Sequence, residues 1–314
     1  MSNKFKFIDL FAGIGGFRLA LEEINGDCVF SSEIDKFAQL TYYENFKEKP
    51  FGDITKIKES EIPNHDILCG GFPCQPFSIA GLRKGFEDTR GTLFFDVLRI
   101  LKEKKPKSFI LENVKGLVNH DKGNTFDVIK SNLKSLNYEV YYEVLNTKDF
   151  NIPQNRERIF IVGFEKNKVK NYKEFSFPKR IKSTLKLENI IDYNNKNSDI
   201  TDTVRKHLKS HIENNKIKNI NKHTIITEVR PSRCSSRSDN ISPCLTAKMG
   251  TGGNNVPIIL DLKRRISEDE ALQIMGFPKN FILPNSKNQS YKQIGNSVSP
   301  KIVKLIGEEI IKVL

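Results

Sequence analysis

FKFIDLFAGIGGFRLALEEI, residues 5–24, is the stretch whose reading decides the fold. Residues 5–9 are a short apolar run of strand length, AGIGG supplies turn glycines, and Leu19, Ala20 and Ile24 fall at helical spacing. The same alternation continues downstream. CVFSS (28–32), DILCGG (66–71) and SFILE (108–112) read as strands, and 35–46, 93–101 and 126–136 carry helical spacing. VYYEVLN (140–146) and RIFIVGF (158–164) add a strand-rich end. Strand followed by helix, repeated, predicts an α/β fold with a mostly parallel sheet covered on both faces.

The pattern fades near Pro178, and 180–255 holds 14 Lys/Arg against 7 Asp/Glu, with Asn and Ser rising and turn residues clustered in TAKMGTGGNN (246–255). Order returns after Ile258, with helix signals in SEDEALQIMGF (267–277) and an amphipathic tail over 300–314. The expected division is therefore 1–177, a smaller and partly irregular domain over 178–257, and a return to the first domain over 258–314.

A net charge of +13 favours polyanionic partners, although Lys- and Asn-rich usage also arises from an AT-rich genome. Five scattered cysteines form no C-x-x-C pair and sit beside no histidines at ligand spacing, so neither a disulfide framework nor a metal site is expected. No run approaches the roughly 18 apolar residues of a membrane span. The N-terminus lacks a signal-peptide cleavage pattern, which makes the cytoplasm the expected compartment.

Ligands of open parallel sheets bind at the carboxyl ends of strands. Phe11, Ala12, Gly13 and Gly16 follow the first strand there, and Glu33 ends the second, where a carboxylate can accept from a ribose. Asp53 sits in the GDI loop, where an adenine amino group could be read. The spacing is not G-x-G-x-x-G, and a tight turn with two solvated acids fits these residues equally well. Cys74, in GGFPCQPFSIAG (70–81), lies just past a strand, where a thiol is exposed and open to activation. Taken alone, a free cysteine is more often a buried small hydrophobe, as Cys69 is expected to be. Glu112 ends the next strand, and Arg156 and Arg158 alternate in QNRER, where an ion pair with Glu157 is the plainer alternative. A thiol, an acid and a cation suit nucleophilic activation of a pyrimidine at C6, which makes C5 reactive toward a methyl donor.

In this order the segments closely resemble the DNA cytosine-C5 methyltransferases of bacterial restriction–modification systems. The resemblance rests on DLFAGIGGF (9–17), Glu33, GDI (52–54), GFPCQPFS (71–78), RGTLFFDVLRIL (90–101), ENV (112–114) and IPQNRERIFIVGF (152–164). RRISEDEALQIMGFP (264–278) and QIGNSVSPKIV (293–303) complete it, although Asp269 and Ala271 stand where the family commonly has Arg and Cys. It implies a Rossmann-like S-adenosylmethionine-dependent domain, yielding S-adenosylhomocysteine without a metal, with a target recognition domain over 178–257. It would place Phe11, Ala12, Gly13, Gly16, Glu33, Ile34, Asp53, Ile54, Pro73, Leu93, Asn296, Ser297 and Val298 around the cofactor. Cys74 would be the nucleophile, Glu112 would hold N3 and the exocyclic amine, Arg158 would hold O2, and Arg156 would support the flipped nucleotide. Gln75, Ser78 and Arg90 belong to a loop that would close over DNA after base extrusion.

In the small domain, Arg230, Arg233 and Arg237 suit guanine edges, and Thr246 lies in a signature-like Leu-Thr step. Double-stranded DNA is the expected partner, and such systems admit a cognate endonuclease acting on the same site without a stable complex. A monomer is expected, since acting on each strand separately needs no symmetric dimer. A tRNA methyltransferase of related sequence would carry Cys-Phe-Thr, which is absent; a binding-only relative would have lost Cys74, Glu112 or Arg158; an NAD oxidoreductase would want the missing glycine spacing.

Overall fold

The structure, a computed structural model, describes residues 4–73, 93–181, 183–195, 200–251 and 255–314. The chain forms two compact units: Met1–Leu145, Glu157–Lys179 and Ile302–Leu314 make the first, Asn146–Arg156 and Arg180–Lys301 the second.

The first unit is built on a six-stranded sheet of β1 (Phe5–Leu10), β2 (Gly26–Ser32), β3 (Ile67–Gly70), β4 (Ser108–Val114), β5 (Tyr138–Asn146) and β6 (Glu157–Glu165), in the order β2-β1-β3-β4-β6-β5. The β1–β2, β1–β3 and β3–β4 pairs are parallel, and β4–β6 is antiparallel. Helices α1 (Gly16–Glu22), α2 (Lys36–Phe46), α3 (Leu93–Lys104) and α4 (Asn124–Ser135) intervene. Asp35 starts α2 by accepting from the Phe37 and Ala38 N–H groups at 2.9 and 3.3 Å. One face of α3 (Phe94, Phe95, Val97, Leu98, Leu101) joins Ile8, Leu10, Phe30, Leu68, Leu111 and Ile161 in one core. The chain leaves β1 for β2 on one side and meets β3 on the other, so the order reverses at β1 and opens a crevice at the strand ends.

Strand alternation sends Asp9 away from that core side, yet it is wholly buried. Burial pushes its carboxyl up to about 8, only partly offset by Arg18.

The second unit holds an antiparallel sheet of β7 (Ile225–Thr227), β8 (Ser235–Arg237), β9 (Ile258–Ile259) and β10 (Arg264–Arg265) in the order β10-β9-β7-β8. Helix α5 (Asp202–Glu213), capped by Thr201, packs Val204 and Leu208 onto Ile226 and Ile258. Helices α6 (Glu268–Met275) and α7 (Lys287–Asn296) follow, and α8 (Pro300–Val313) ends the chain.

Residues 258–301 belong to the second unit, and only Ile302–Leu314 return to the first. A buried ion pair accounts for part of this. Arg264 meets Glu270 through two bonds of 2.6 and 2.8 Å, and its remaining N–H groups reach the carbonyls of Asp192, Asn195 and Arg265. Glu270 also accepts the Ser267 N–H while the Ser267 hydroxyl caps Glu270, closing a capping box on α6. β10, the start of α6 and the 192–195 segment are thereby held together.

Two outcomes follow. Glu270→Ala strands a guanidinium that is 1% exposed and should cost about 3–5 kcal/mol of stability by denaturant titration; a loss below about 1 kcal/mol would count against the network. Asp9 stays protonated in the folded chain where the unfolded chain ionises, so stability is lost as pH rises through the range up to about 8. Asp9→Asn keeps the shape without the charge, and its melting temperature should gain on the wild type from about pH 5 to pH 8; parallel curves would show that Asp9 is not the titrating group.

Candidate active site at the strand ends

At the end of β1 the backbone turns sharply. Phe11 has φ +56°, unusual for an aromatic residue, and Gly13 has φ +55° with open space where a side chain would project. Gly15, at φ +87°, lies where a Cβ would run into the Phe46 ring, so α1 can start only on glycine. Gly16 is the first residue of that helix, and the Ala12 N–H bonds to the Ser32 carbonyl at 2.9 Å.

Glu33 closes this loop from β2. Its carboxylate accepts the Gly13 N–H at 2.7 Å and the Asp35 N–H at 2.8 Å, and burial holds its pKa above the ordinary carboxylate value. Beside it Ile34 is 67% exposed, an apolar side chain facing outward. The Glu33 N–H donates to the Phe51 carbonyl, and the Phe51 ring stacks on Phe30 at 4.8 Å. Asp53 accepts from the Thr55 hydroxyl at 2.8 Å and N–H at 3.0 Å, which lowers its pKa and keeps it charged. Ile54 is buried behind it. The loop ends thus present two carboxylates, an open glycine turn and an exposed aliphatic face, which is a donor and acceptor set suited to a nucleoside with a charged tail.

At the next strand ends, Gly71 lies against Glu112: a Cβ there would be 3.5 Å from the carboxylate oxygen. The Asn113 amide donates to the Phe72 carbonyl at 2.8 Å in a buried bond. Pro73 is exposed, and Leu93 is the first described residue beyond it, opening α3. Cys74, Gln75, Ser78 and Arg90 lie outside the described residues. Arg158, in β6, sets its Nε 3.0 Å from a Glu112 carboxylate oxygen and donates Nη1 to the Glu157 carbonyl. Both side chains keep some exposure, 16% and 13%. Glu157 pairs instead with Lys115 at 3.1 Å.

Arg156 points into the fold. It is 2% exposed, and its terminal nitrogens donate to the carbonyls of Leu245 (2.7 Å), Ser297 (2.7 Å) and Gly295 (3.2 Å). It belongs to the second unit, as do Asn296, Ser297 and Val298 around the end of α7; of these Asn296 is exposed while Ser297 and Val298 are buried. Of the recognition candidates, Thr246 and Arg230 are exposed, and Arg233 is largely so, 3.7 Å from Glu228. Arg237 is folded onto Asp239 through two contacts, so it would have to exchange that carboxylate for a base edge.

Sequence reading missed the residues that hold the loops. Arg99 of α3 donates to the Ile54 and Ile57 carbonyls at 2.6 and 2.9 Å and pairs with Asp96 and Glu59, fixing the Asp53 loop. Arg18 of α1 bonds Glu22 and Glu48 and lies over the Phe46 ring, joining α1 to α2. The only sequence signal for either was an arginine inside an otherwise apolar helical pattern.

Among the described residues no helix is long and apolar enough to cross a membrane. A family model described as C-5 cytosine-specific DNA methylase matches residues 5–312. The Type II methyltransferase M.SsoII of Shigella sonnei is 47% identical, with 100% of this chain and 82% of the relative covered. M.HaeII of Haemophilus aegyptius is 45% identical, covering 99% and 94%. A crystal structure of a putative DNA modification methyltransferase from an E. coli prophage superposes with TM-score 0.72 at 22% identity, covering 99% of each chain, a likeness of fold. With a strand-end glycine loop, a paired Glu112–Arg158 beside the Gly71–Pro73 turn, and this match along nearly its whole length, the chain belongs to the C-5 cytosine-specific DNA methylases, and it methylates carbon 5 of cytosine in DNA.

Proposed function

We propose that the chain modifies cytosine in a short specific sequence of duplex DNA through a covalent Cys74 adduct, as the modification arm of a Type II restriction–modification system. The observation that carries this reading is the Glu112–Arg158 pair at 3.0 Å, set against the Gly71 turn three residues before Cys74. A carboxyl and a guanidinium side by side match the edge of a cytosine, whose N3 and exocyclic amine meet the acid and whose O2 meets the cation. A base can present that edge only when it has left the stack.

The Cys74 thiolate adds to C6, and the electron pair released toward C5 attacks the donated methyl group. Loss of the C5 proton to a base then expels the thiolate, restoring the C5–C6 double bond and the free enzyme. S-adenosylmethionine supplies the methyl group when bound and leaves as S-adenosylhomocysteine. Phe11, Ala12, Gly13, Gly16, Glu33, Ile34, Asp53, Ile54, Pro73 and Leu93 are the residues of the first unit that would hold it. The open space over Gly13 and the charged Asp53 support that fit. No metal enters the proposed chemistry. Gln75, Ser78, Arg90, Arg230, Arg233, Arg237 and Thr246 are assigned to DNA, within a recognition segment centred on 178–257. The family description names DNA, which favours this reading over tRNA. M.SsoII and M.HaeII carry the designation Type II, which supports a restriction–modification role and a cognate endonuclease. The chain would work as a cytoplasmic monomer.

Bisulfite sequencing of plasmid DNA from cells expressing the gene should reveal one short sequence with protected cytosines. Uniformly converted DNA would sink the reading. Duplexes built on that sequence with 5-fluorocytosine, which cannot lose a C5 proton, should trap a denaturation-resistant adduct, and Cys74→Ser should remove it; an undiminished adduct would exclude Cys74. Glu33→Gln should weaken S-adenosylmethionine binding by roughly ten- to hundredfold in calorimetry, the weight of a hydrogen bond to a charged acceptor. Because the Glu33 pKa lies above the ordinary value, wild-type affinity should fall on acidification earlier than for an exposed carboxylate, and Glu33→Gln should flatten that fall; equal affinity and pH response in the two proteins would remove Glu33 from the site.

A further inference from the structure

Arg156 and Gln154 are two arms of one clamp inside the second unit. The 153–155 backbone runs beside Ser242, with the Ser242 N–H on the Pro153 carbonyl at 2.7 Å and the Asn155 N–H on the Ser242 carbonyl at 2.8 Å. Gln154, fully buried, accepts the Leu245 N–H at 3.0 Å and donates to the Ile274 carbonyl. Arg156 takes the Leu245 carbonyl at 2.7 Å from the other side. Both backbone groups of Leu245 are therefore gripped by side chains, and its own side chain is buried.

The next residue, Thr246, is exposed. Its backbone lies directly on α7: a Cβ at Gly295 would fall 2.1 to 2.3 Å from the Thr246 and Ala247 backbone, and one at Gly250 would fall 2.2 Å from the Asn288 carbonyl. Only glycine permits either approach. The same guanidinium that holds Leu245 also takes the carbonyls of Gly295 and Ser297, at the end of α7. One planar group thus fixes the two segments to each other just where the chain emerges at Thr246.

We propose that Arg156 is a positioning residue for target selection, which does not touch DNA but sets the direction in which Thr246 and the turn after it face the substrate. This rests on the proposed DNA role of Thr246. The guanidinium is too committed to serve a phosphate, because leaving its site would take a donor from three carbonyls at once. A lysine cannot replace it: a single ammonium has the charge but not the fork that spans both segments. Removing Arg156 should blur the choice among sequences while leaving the exposed lysines and arginines, which carry non-specific affinity, untouched.

The test uses the full chain as wild type, Arg156→Lys, Arg156→Met and Gly295→Ala. Plasmid DNA is methylated in vitro and read by bisulfite sequencing, and the methylation rate at the preferred sequence is divided by that at its single-base variants. Affinity for a fragment of the same plasmid and the melting temperature are measured alongside. Both Arg156 variants should lose about tenfold in discrimination, the weight of one misaligned polar contact, with DNA affinity changed less than about threefold. Gly295→Ala should reproduce the loss with the charge intact. Native discrimination in Arg156→Lys would overturn the proposal, since a point charge would then suffice. So would a large loss of DNA affinity in Arg156→Met with discrimination preserved. If Arg156→Met does not fold, Arg156→Lys and Gly295→Ala decide by the same outcomes. An inactive wild type would instead overturn the functional reading.

Discussion

The hydrogen bond from the Asn113 amide to the Phe72 carbonyl is the contact on which the chemistry end depends. β3 ends at Gly70, and the chain must leave the sheet through Gly71 and Phe72 with irregular backbone and no ladder partner. A buried carbonyl left without a donor there would cost as much as the turn could gain. Asn113 supplies the donor from the adjacent strand, and its neighbour Glu112 then lies against Gly71. The turn that leads to Cys74 and the carboxylate that would meet the base are thus fixed by one side chain between them.

The same constraint recurs wherever a loop leaves a strand end. Arg99 holds the Ile54 and Ile57 carbonyls of the Asp53 loop, and Glu33 holds the Gly13 N–H of the glycine turn. Arg264 holds three carbonyls near the start of α6 while paired with Glu270. Such contacts cannot be anticipated from spacing, because nearly all of them join donors and acceptors separated by 20 to 72 residues. By contrast, β1, β3 and β4 were legible because burial on both faces writes itself as short apolar runs, and α3 and α4 because their apolar residues recur at helical spacing. The strand-end positions of Glu33 and Glu112 followed from that reading.

The second unit was less legible for a physical reason. β7 to β10 are two or three residues long, too short for alternation to register, and their sheet gains its core from α5 rather than from its own pattern. The polar surface of α5, with Arg205, Lys206 and Lys209, masks a narrow buried stripe of Val204, Leu208 and His211. Charge pattern and composition reported the solvent face correctly and said nothing of the face that folds.

Arg156 and Arg158 show how far residue type alone carries an argument. Two residues apart in one motif, they have the same charge and reach. Arg158 finds one carboxylate partner and a partly open surface, so its remaining donors can meet a ligand that brings its own acceptor. Arg156 finds three carbonyls converging on a buried pocket, and its donors are spent on the fold. The difference lies in the acceptors each meets: a carboxylate shared with solvent leaves the guanidinium available, whereas three buried converging carbonyls do not. An arginine in a motif is therefore assigned to substrate or to scaffold by counting the acceptors the fold has already given it.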